Sequence, residues 1–317
     1  MKDTTTLYVL GAGAMGSLFG GILSEGGIDV TLIDPWREHV DTINANGLRI
    51  VGFGGDRSVS LHAVTSTKGL PCADILFVQC KSYHTEAAIT AAMNVVGPAT
   101  TAISFQNGLG NEEILASAVG EGRVLGGLTS QGASVEAPGV VRSYAELPTH
   151  VGDMSGGYSE RAARIASMMS AHGLPTSDSA DIRLEIWKKL VVNVGINAPS
   201  AIAGLCIGDV LRVPELRRVV NRAINEAVSV AQASGLALDR QHAQDVLNGI
   251  SGPGGSGRNH SSMGVDVQKR RPTEIDFMNG AIVRLGWRHD VPTPVNETLL
   301  AAVKGIEFRN AEVECAG

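Results

Sequence analysis

The stretch "TLYVLGAGAMG", residues 6–16, decides the fold. The β-like run "TLYVLGA" ends in Gly11, Gly13 and Gly16, spaced G-x-G-x-x-G, and a helical pattern follows from Met15 to Ser24. Each glycine has a separate reason to be there. Gly11 permits the tight turn, Gly13 lets the backbone approach a pyrophosphate, and Gly16 allows close helix–sheet packing. The helix start adds free N–H groups and a positive dipole end, both suited to phosphate. Gly11, Gly13, Ala14, Met15 and Gly16 are therefore the expected dinucleotide cradle. A lone glycine motif is weak evidence, but this one occupies the first βα turn of an expected βαβ unit.

Outward from that turn, "DVTLID" reads as the second strand, and a helix runs through "PWREHVDTINANG" to Gly47. Asp34, at the end of the second strand, is placed to hydrogen-bond a ribose 2′-hydroxyl, which favours NAD over NADP. Followed by Pro35, it also reads as an N-cap with proline at the first helical position. Arg37 offers the opposite cofactor choice, because a guanidinium there would meet a 2′-phosphate. "ADILFVQC" is apolar almost throughout, as a strand buried on both faces should be. The helix "HTEAAITAAMNVV" and the strand "TAISFQN" continue the alternation, which predicts a doubly wound, Rossmann-type α/β sheet.

From about 124 to 153 the pattern changes to "VLGGLTSQGASVE", "GVVRSYA" and "THVGD", read as antiparallel strands on the sheet edge. A helix at "SERAARIASMMSAHG" closes the domain. Beyond it only helices are expected, over 181–204, 214–235, 239–250, 273–289 and 296–309. The expected organisation is a dinucleotide-binding domain over 1–180 and an all-helical substrate and dimerisation domain over 181–317.

Composition narrows the function. A net charge of −6 argues against a nucleic-acid partner. No apolar run reaches the roughly 18 residues that cross a bilayer. The N-terminus runs straight into a strand, so a secretory signal is not expected. Cys72, Cys80, Cys206 and Cys315 show no CxxC pair, which points to a reduced, cytoplasmic compartment, with Cys72 and Cys80 as small buried thiols. The histidines show no metal-ligand spacing either, and no metal site is expected.

The most unusual segment is "IWKKLVVNVGINAPSAIAG", residues 186–204. It is an apolar helix carrying Lys189, Asn193, Asn197 and Ser200, which fall within about 80° of one another at helical spacing. Snorkelling and local hydrogen bonding would explain them individually. Two asparagines in so apolar a helix each need a partner, because a buried unpaired amide costs about 1–3 kcal/mol. A stripe lining a ligand pocket between domains answers that need. Pro199 leaves the Gly195 carbonyl without its helical donor, and Gly195 is read as easing that crowding.

Three other stretches are ambiguous alone. "QNGLGNEE", 106–113, follows a strand at its ligand-binding end, yet Asn107-Gly108 also makes an ordinary turn. Lys81 holds a similar rim position, where a solvated lysine is the ordinary reading. In "RPTEIDFMNG", Thr273 with Asp276 resembles a capping box and Glu274 a first-turn carboxylate. "NHSSM", 259–263, is a polar loop or a lid after glycine-rich sequence.

Taken in order, "GAGAMG", "QNGLGNEE", "WKKLVVNVGINAPSAI", "SSMGVDVQKRRPTEIDFMNG" and "VPTPVNETL" resemble the ketopantoate reductase (2-dehydropantoate 2-reductase) family over nearly the whole chain. The resemblance implies a Rossmann domain, a helical domain, and reduction of a 2-keto acid to a 2-hydroxy acid with NADPH. It implies Lys189 as catalytic lysine and general acid, with Glu274 beside the substrate hydroxyl. It further implies Asn193, Asn197 and Ser262 as substrate ligands, Asn107 between nicotinamide and substrate, and Lys81 at the cofactor rim.

The sequence departs from that family pattern in three places. Pro35 stands where relatives place a phosphate-binding arginine, which weakens the case for NADP. "VVRSYAELP" replaces a histidine–glycine pattern, and 252–258 is unusually glycine-rich. The competing readings are a β-hydroxyacid or opine-type dehydrogenase, and a non-catalytic dinucleotide-binding protein. A homodimer is expected because helical C-terminal domains often bury a face against a second copy.

Overall fold

The computed structural model describes residues 5–251 and 256–315; residues 252–255 of the glycine-rich segment lie outside them. The chain forms two compact units, Met1–Gln106 with Gly110–Arg183, and Asn107–Leu109 with Leu184–Gly317. The second unit thus takes three residues from the "QNGLG" loop.

The first unit runs β1 (Thr6–Leu10), α1 (Ala14–Glu25), β2 (Asp29–Ile33), α2 (Arg37–Asn46), β3 (Leu48–Gly52), β4 (Arg57–Val59) and β5 (His62–Val64). It continues with β6 (Ala73–Val78), α3 (Thr85–Ala91), β7 (Val96–Ser104), α4 (Asn111–Val119), β8 (Val124–Thr129), β9 (Ala133–Ala137) and β10 (Val140–Ser143). It closes with β11 (Thr149–Asp153), α5 (Glu160–Ala171) and β12 (Thr176–Asp178).

The main sheet has the order β12-β11-β8-β7-β6-β1-β2-β5. It is parallel from β5 to β8, and β11 runs antiparallel to β8. All five residues of β1 are buried, as expected for a strand covered on both faces. The chain reverses direction across the sheet at β1, which lies between β2 and β6, so the switch point opens above the glycine turn.

One expectation is corrected. "VLGGLTSQGASVE" and "GVVRSYA" do not both extend the main sheet. β9 and β10 instead join β3 and β4 in a second sheet of order β4-β3-β10-β9. The physical reason lies in α1, which packs on two sides. A Cβ on Gly20 would stand 2.5 Å from Leu32 of β2, and one on Gly21 2.8 Å from Ile50 of β3. Leu48, Ile50 and Val141 of the small sheet are fully buried and share a core with Phe19 of α1. Cys72 is exposed and Cys80 only half-buried, so neither is the buried thiol expected.

The second unit contains α6 (Ile182–Ala203, its first two residues still in the first unit), α7 (Ile207–Arg212), α8 (Pro214–Ala233) and α9 (Arg240–Ser251). It ends with α10 (Ser262–Gln268), α11 (Asn279–Arg288) and α12 (Pro294–Cys315). Gly195 has a reason other than the one read from Pro199. A Cβ there would lie 2.6 Å from Ile224, so the glycine lets α6 and α8 approach.

"VPTPVNETL" is structural. Glu226 of α8 accepts the backbone N–H groups of Val295 and Asn296 at 2.9 and 3.0 Å, capping α12. Asn296 in turn accepts a hydrogen bond from Asn279, which also donates to the Val194 carbonyl of α6 at 3.1 Å. Among the described residues, no helix is long and apolar enough to cross a membrane, and no group of three His, Cys, Asp or Glu could hold a metal ion.

Candidate active site

The glycine turn divides its three tasks sharply. Gly11 adopts φ +91°, and a Cβ on it would lie 2.4 Å from the Cys80 backbone nitrogen. Gly16 packs against the turn itself, since its Cβ would stand 2.0 Å from the Gly11 carbonyl oxygen. Gly13 is exposed, and a Cβ there would meet nothing within 4 Å. Open space at that one position, followed by an α1 N-terminus with no side-chain cap, is what an approaching pyrophosphate requires. Ala14 and Met15, both half-buried, form the first turn of α1. The residues present therefore fit a dinucleotide.

Asp34 directly follows β2 at the same edge. It is not the N-cap of α2; that position is Trp36, and Asp34 Oδ1 accepts the Trp36 N–H at 2.9 Å in an Asx turn. Lys81 precedes a short 3-10 turn, Ser82–His84, just beyond β6.

In the helical unit, α6 carries Lys189, Asn193 and Asn197 at successive four-residue intervals, on one face. Lys189 is half-buried, and burial pulls its pKa down to about 8 against the opposing pull of the Glu274 charge. Glu274 is almost fully buried. Asn197 is buried and points its Nδ2 at Met278 Sδ, 3.5 Å away. Ser200, the last member of the sequence stripe, turns elsewhere. Its hydroxyl donates to the Leu205 carbonyl at 2.7 Å and closes the end of α6.

The expected helix over 273–289 is broken, and the break positions the carboxylate. Ile275–Phe277 is a 3-10 turn with Glu274 as its N-cap, and α11 starts afresh at Asn279. The Thr273–Asp276 capping box does not form. The Thr273 hydroxyl accepts the Ile275 N–H, while Asp276 pairs with Lys304 at 3.0 Å.

The Phe277 carbonyl is taken by the Leu109 N–H at 2.9 Å. Gly108 beside it has φ +90°, and its Cβ would stand 2.5 Å from that carbonyl oxygen. Asn107 is thereby fixed next to the turn bearing Glu274. Gly108→Ala carries both backbone strain and this overlap, and is expected to lower Tm by several degrees and the rate of any reaction at this site by at least tenfold. Parallel melting and rate measurements check this, and a variant matching wild type in both would contradict it.

Ser262 is exposed at the start of α10, whereas its neighbour Ser261 is buried. Ser261 caps that helix through the Gly264 N–H at 3.0 Å and donates to the Asn197 carbonyl at 3.4 Å. Sequence reasoning singled out Ser262 and passed over Ser261, although a serine opening a helix is an N-cap signal.

Glu112 was missed altogether. It is buried in the first turn of α4, where desolvation raises its pKa to about 7 although Ser104 hydrogen-bonds to it. The folded chain thus holds this proton more tightly than the unfolded chain does. The stabilisation is complete below the ordinary carboxylate pKa and is lost as pH rises through about 7. A displacement of this size corresponds to roughly 3 kcal/mol. Glu112→Gln should therefore melt higher than wild type at pH 8, with the gain shrinking at pH 4.5; equal Tm differences at both pH values would contradict this.

A dinucleotide turn at the switch point of a parallel sheet, with a lysine–carboxylate pair on a helical unit, defines a nicotinamide-dependent oxidoreductase. Two family descriptions match the chain: "Ketopantoate reductase PanE/ApbA" over residues 7–156 and "Ketopantoate reductase PanE/ApbA C terminal" over 181–307. The chain belongs to the ketopantoate reductase family.

It is 35% identical over 302 residues to the 2-dehydropantoate 2-reductase of Halobacterium salinarum, covering 94% of this chain and 97% of that relative. Identity to the Archaeoglobus fulgidus enzyme of the same name is 35% over 301 residues, covering 95% and 97%. Among solved structures, a ternary D-mandelate dehydrogenase with NADH and anilino(oxo)acetate matches with TM-score 0.92 at 28% identity, covering 97% of this chain and all of that one. A ketopantoate reductase of Ralstonia eutropha matches with TM-score 0.89 at 29% identity, with the same coverage.

Proposed function

We propose that this protein reduces 2-dehydropantoate to pantoate with a reduced nicotinamide dinucleotide, Lys189 serving as general acid. The observation that carries this reading is the face of α6 that holds Lys189, Asn193 and Asn197 at four-residue intervals, with the Lys189 ammonium under the charge of Glu274 and its pKa drawn down to about 8 by burial. A lysine with an ordinary pKa is a poor acid at neutral pH, and lowering its pKa matches it to the task.

The bound dinucleotide supplies the hydride. Lys189 hydrogen-bonds the keto oxygen, stabilises the negative charge that develops there, and delivers its Nζ proton to that oxygen. Asn193, Asn197 and Ser262 orient the substrate carboxylate and carbonyl, and Asn107 fixes the other side of the reacting carbon. Glu274 accepts a hydrogen bond from the distal substrate hydroxyl. Gly11, Gly13, Ala14, Met15 and Gly16 form the turn that cradles the dinucleotide, with Gly13 open to its pyrophosphate and Lys81 at the rim.

The test is turnover. Purified protein should oxidise NADH or NADPH with ketopantoate and release pantoate. Binding of both nucleotides without reduction of any 2-keto acid would remove the reading and favour a non-catalytic dinucleotide protein. The likeness to D-mandelate dehydrogenase supports a second substrate, an aryl 2-keto acid such as phenylglyoxylate, which belongs in the same panel. 3-Hydroxy acids, and keto acid with amine, test the β-hydroxyacid and opine readings.

For the cofactor, the Asp34 carboxylate would repel a 2′-phosphate and accept the ribose hydroxyl, so NADH is the proposed donor. Two neighbours solved with NADH support this. Comparing kcat/KM for the two nucleotides checks it: NADH should be preferred, and Asp34→Ser should raise kcat/KM for NADPH about tenfold, the scale of one relieved charge contact. A wild type preferring NADPH would overturn the choice.

A further inference from the structure

His39 of α2 is fully buried, and the catalytic reading gives it no part. The Gly139 N–H, at the turn between β9 and β10, donates to its Nδ1 at 3.0 Å. A backbone amide can only donate, so Nδ1 carries no proton and the neutral ring bears its hydrogen on Nε2. That N–H meets Ser17 Oγ at 3.1 Å, and the Ser17 hydroxyl donates to the Ala12 carbonyl at 2.7 Å. Ala12 lies inside the glycine turn, between Gly11 and Gly13. A three-link chain thus runs from the second sheet through α2 and α1 into the dinucleotide cradle.

The last link has a geometric consequence. The Ala12–Gly13 peptide is planar and trans, so its C=O and N–H point in opposite directions. Holding the carbonyl inward on Ser17 aims the Gly13 amide outward, at the exposed glycine where a Cβ would meet nothing within 4 Å. We propose that His39, acting through Ser17, is a positioning residue that fixes the Ala12–Gly13 peptide so that its amide faces the pyrophosphate of the bound dinucleotide. This rests on the dinucleotide-dependent reading of the glycine turn.

The surroundings keep His39 in the form the chain needs. Burial lowers its pKa, with the Asp34 charge opposing, and the Trp36 indole stacks over the ring at 5.0 Å and 12°. A protonated ring would have two donors and could not accept from Gly139. An apolar side chain would fill the same space without holding Ser17, so packing alone does not account for an imidazole at this position.

The experiment compares wild type with His39→Leu, Ser17→Ala, the double variant and His39→Gln, whose amide restores a donor. Dissociation constants for NADH, NADPH and ADP-ribose are measured by calorimetry, with Tm and steady-state kinetics on the same preparations. His39→Leu and Ser17→Ala should each weaken all three ligands about tenfold, the scale of one hydrogen bond. The double variant should be no weaker than the worse single, and His39→Gln should recover most of the loss. kcat at saturating nucleotide should stay within about twofold, because the loss falls on nucleotide affinity.

Unchanged affinity in folded His39→Leu, or additive losses in the double variant, would overturn the proposal while leaving the reductase reading intact. If His39→Leu fails to fold, Ser17→Ala decides in its place, with unchanged affinity again contradicting the proposal. A wild type that binds none of the three ligands would overturn both.

Discussion

Lys189→Ala is expected to lower kcat by roughly two to four orders of magnitude, the usual contribution of a positioned general acid. Dinucleotide affinity should stay within about twofold, because no part of the glycine turn is altered. In the proposed mechanism the variant loses three things at once: the proton donor, the positive charge beside the developing alkoxide, and the hydrogen bond to the keto oxygen. Because those interactions are strongest in the transition state, the loss should appear in kcat more than in keto-acid KM. Lys189→Arg separates them. It keeps a charge but cannot release a proton near neutrality, so it should restore substrate affinity without restoring turnover. Stopped-flow and steady-state measurements of nucleotide consumption check both variants, and near-wild-type turnover in Lys189→Ala would remove the lysine from the mechanism.

Glu274→Gln should cost about ten- to a hundredfold in kcat/KM, the scale of one hydrogen bond to a charged group. The amide has nearly the same shape, so the almost fully buried side chain is not exchanged for a cavity. A second, more diagnostic effect is also expected. The Glu274 charge holds the Lys189 pKa up against desolvation, so removing it lets that pKa fall below about 8. The basic limb of the pH profile should therefore move to lower pH in Glu274→Gln, while Glu274→Asp should keep it near its original place. A limb that did not move would show that the two groups are not coupled.

Several of these features were legible in the sequence because their causes are local. The positive φ of Gly11 and the contact of Gly16 with the Gly11 carbonyl are set within six residues of one another, and the polar face of α6 needs only the helical period. Asp34 stands at the expected strand end, but its N-cap reading fails, since the Asx turn and the N-cap share the same sequence signal. What was not legible depends on distant partners. The break after Phe277 comes from the Leu109 N–H, which lies far upstream in the chain. The separate sheet depends on β3 pairing with β10 and on α1 having a second apolar face. Ser200 shares the helical stripe, but its hydroxyl is taken by the Leu205 carbonyl, a contact helical periodicity does not reveal. His39 and Glu112 gave no sequence signal, since their unusual environments arise only when several elements close around them.

The pH dependence of kcat/KM for keto-acid reduction tests the central claim most directly. In the proposed mechanism reduction needs Lys189 protonated, so the rate should hold below about 8 and fall about tenfold per pH unit above it. The same limb should be absent from the residual activity of Lys189→Ala. A wild-type profile that stays flat to pH 10, or an unchanged limb in Lys189→Ala, would show that the proton comes from another group.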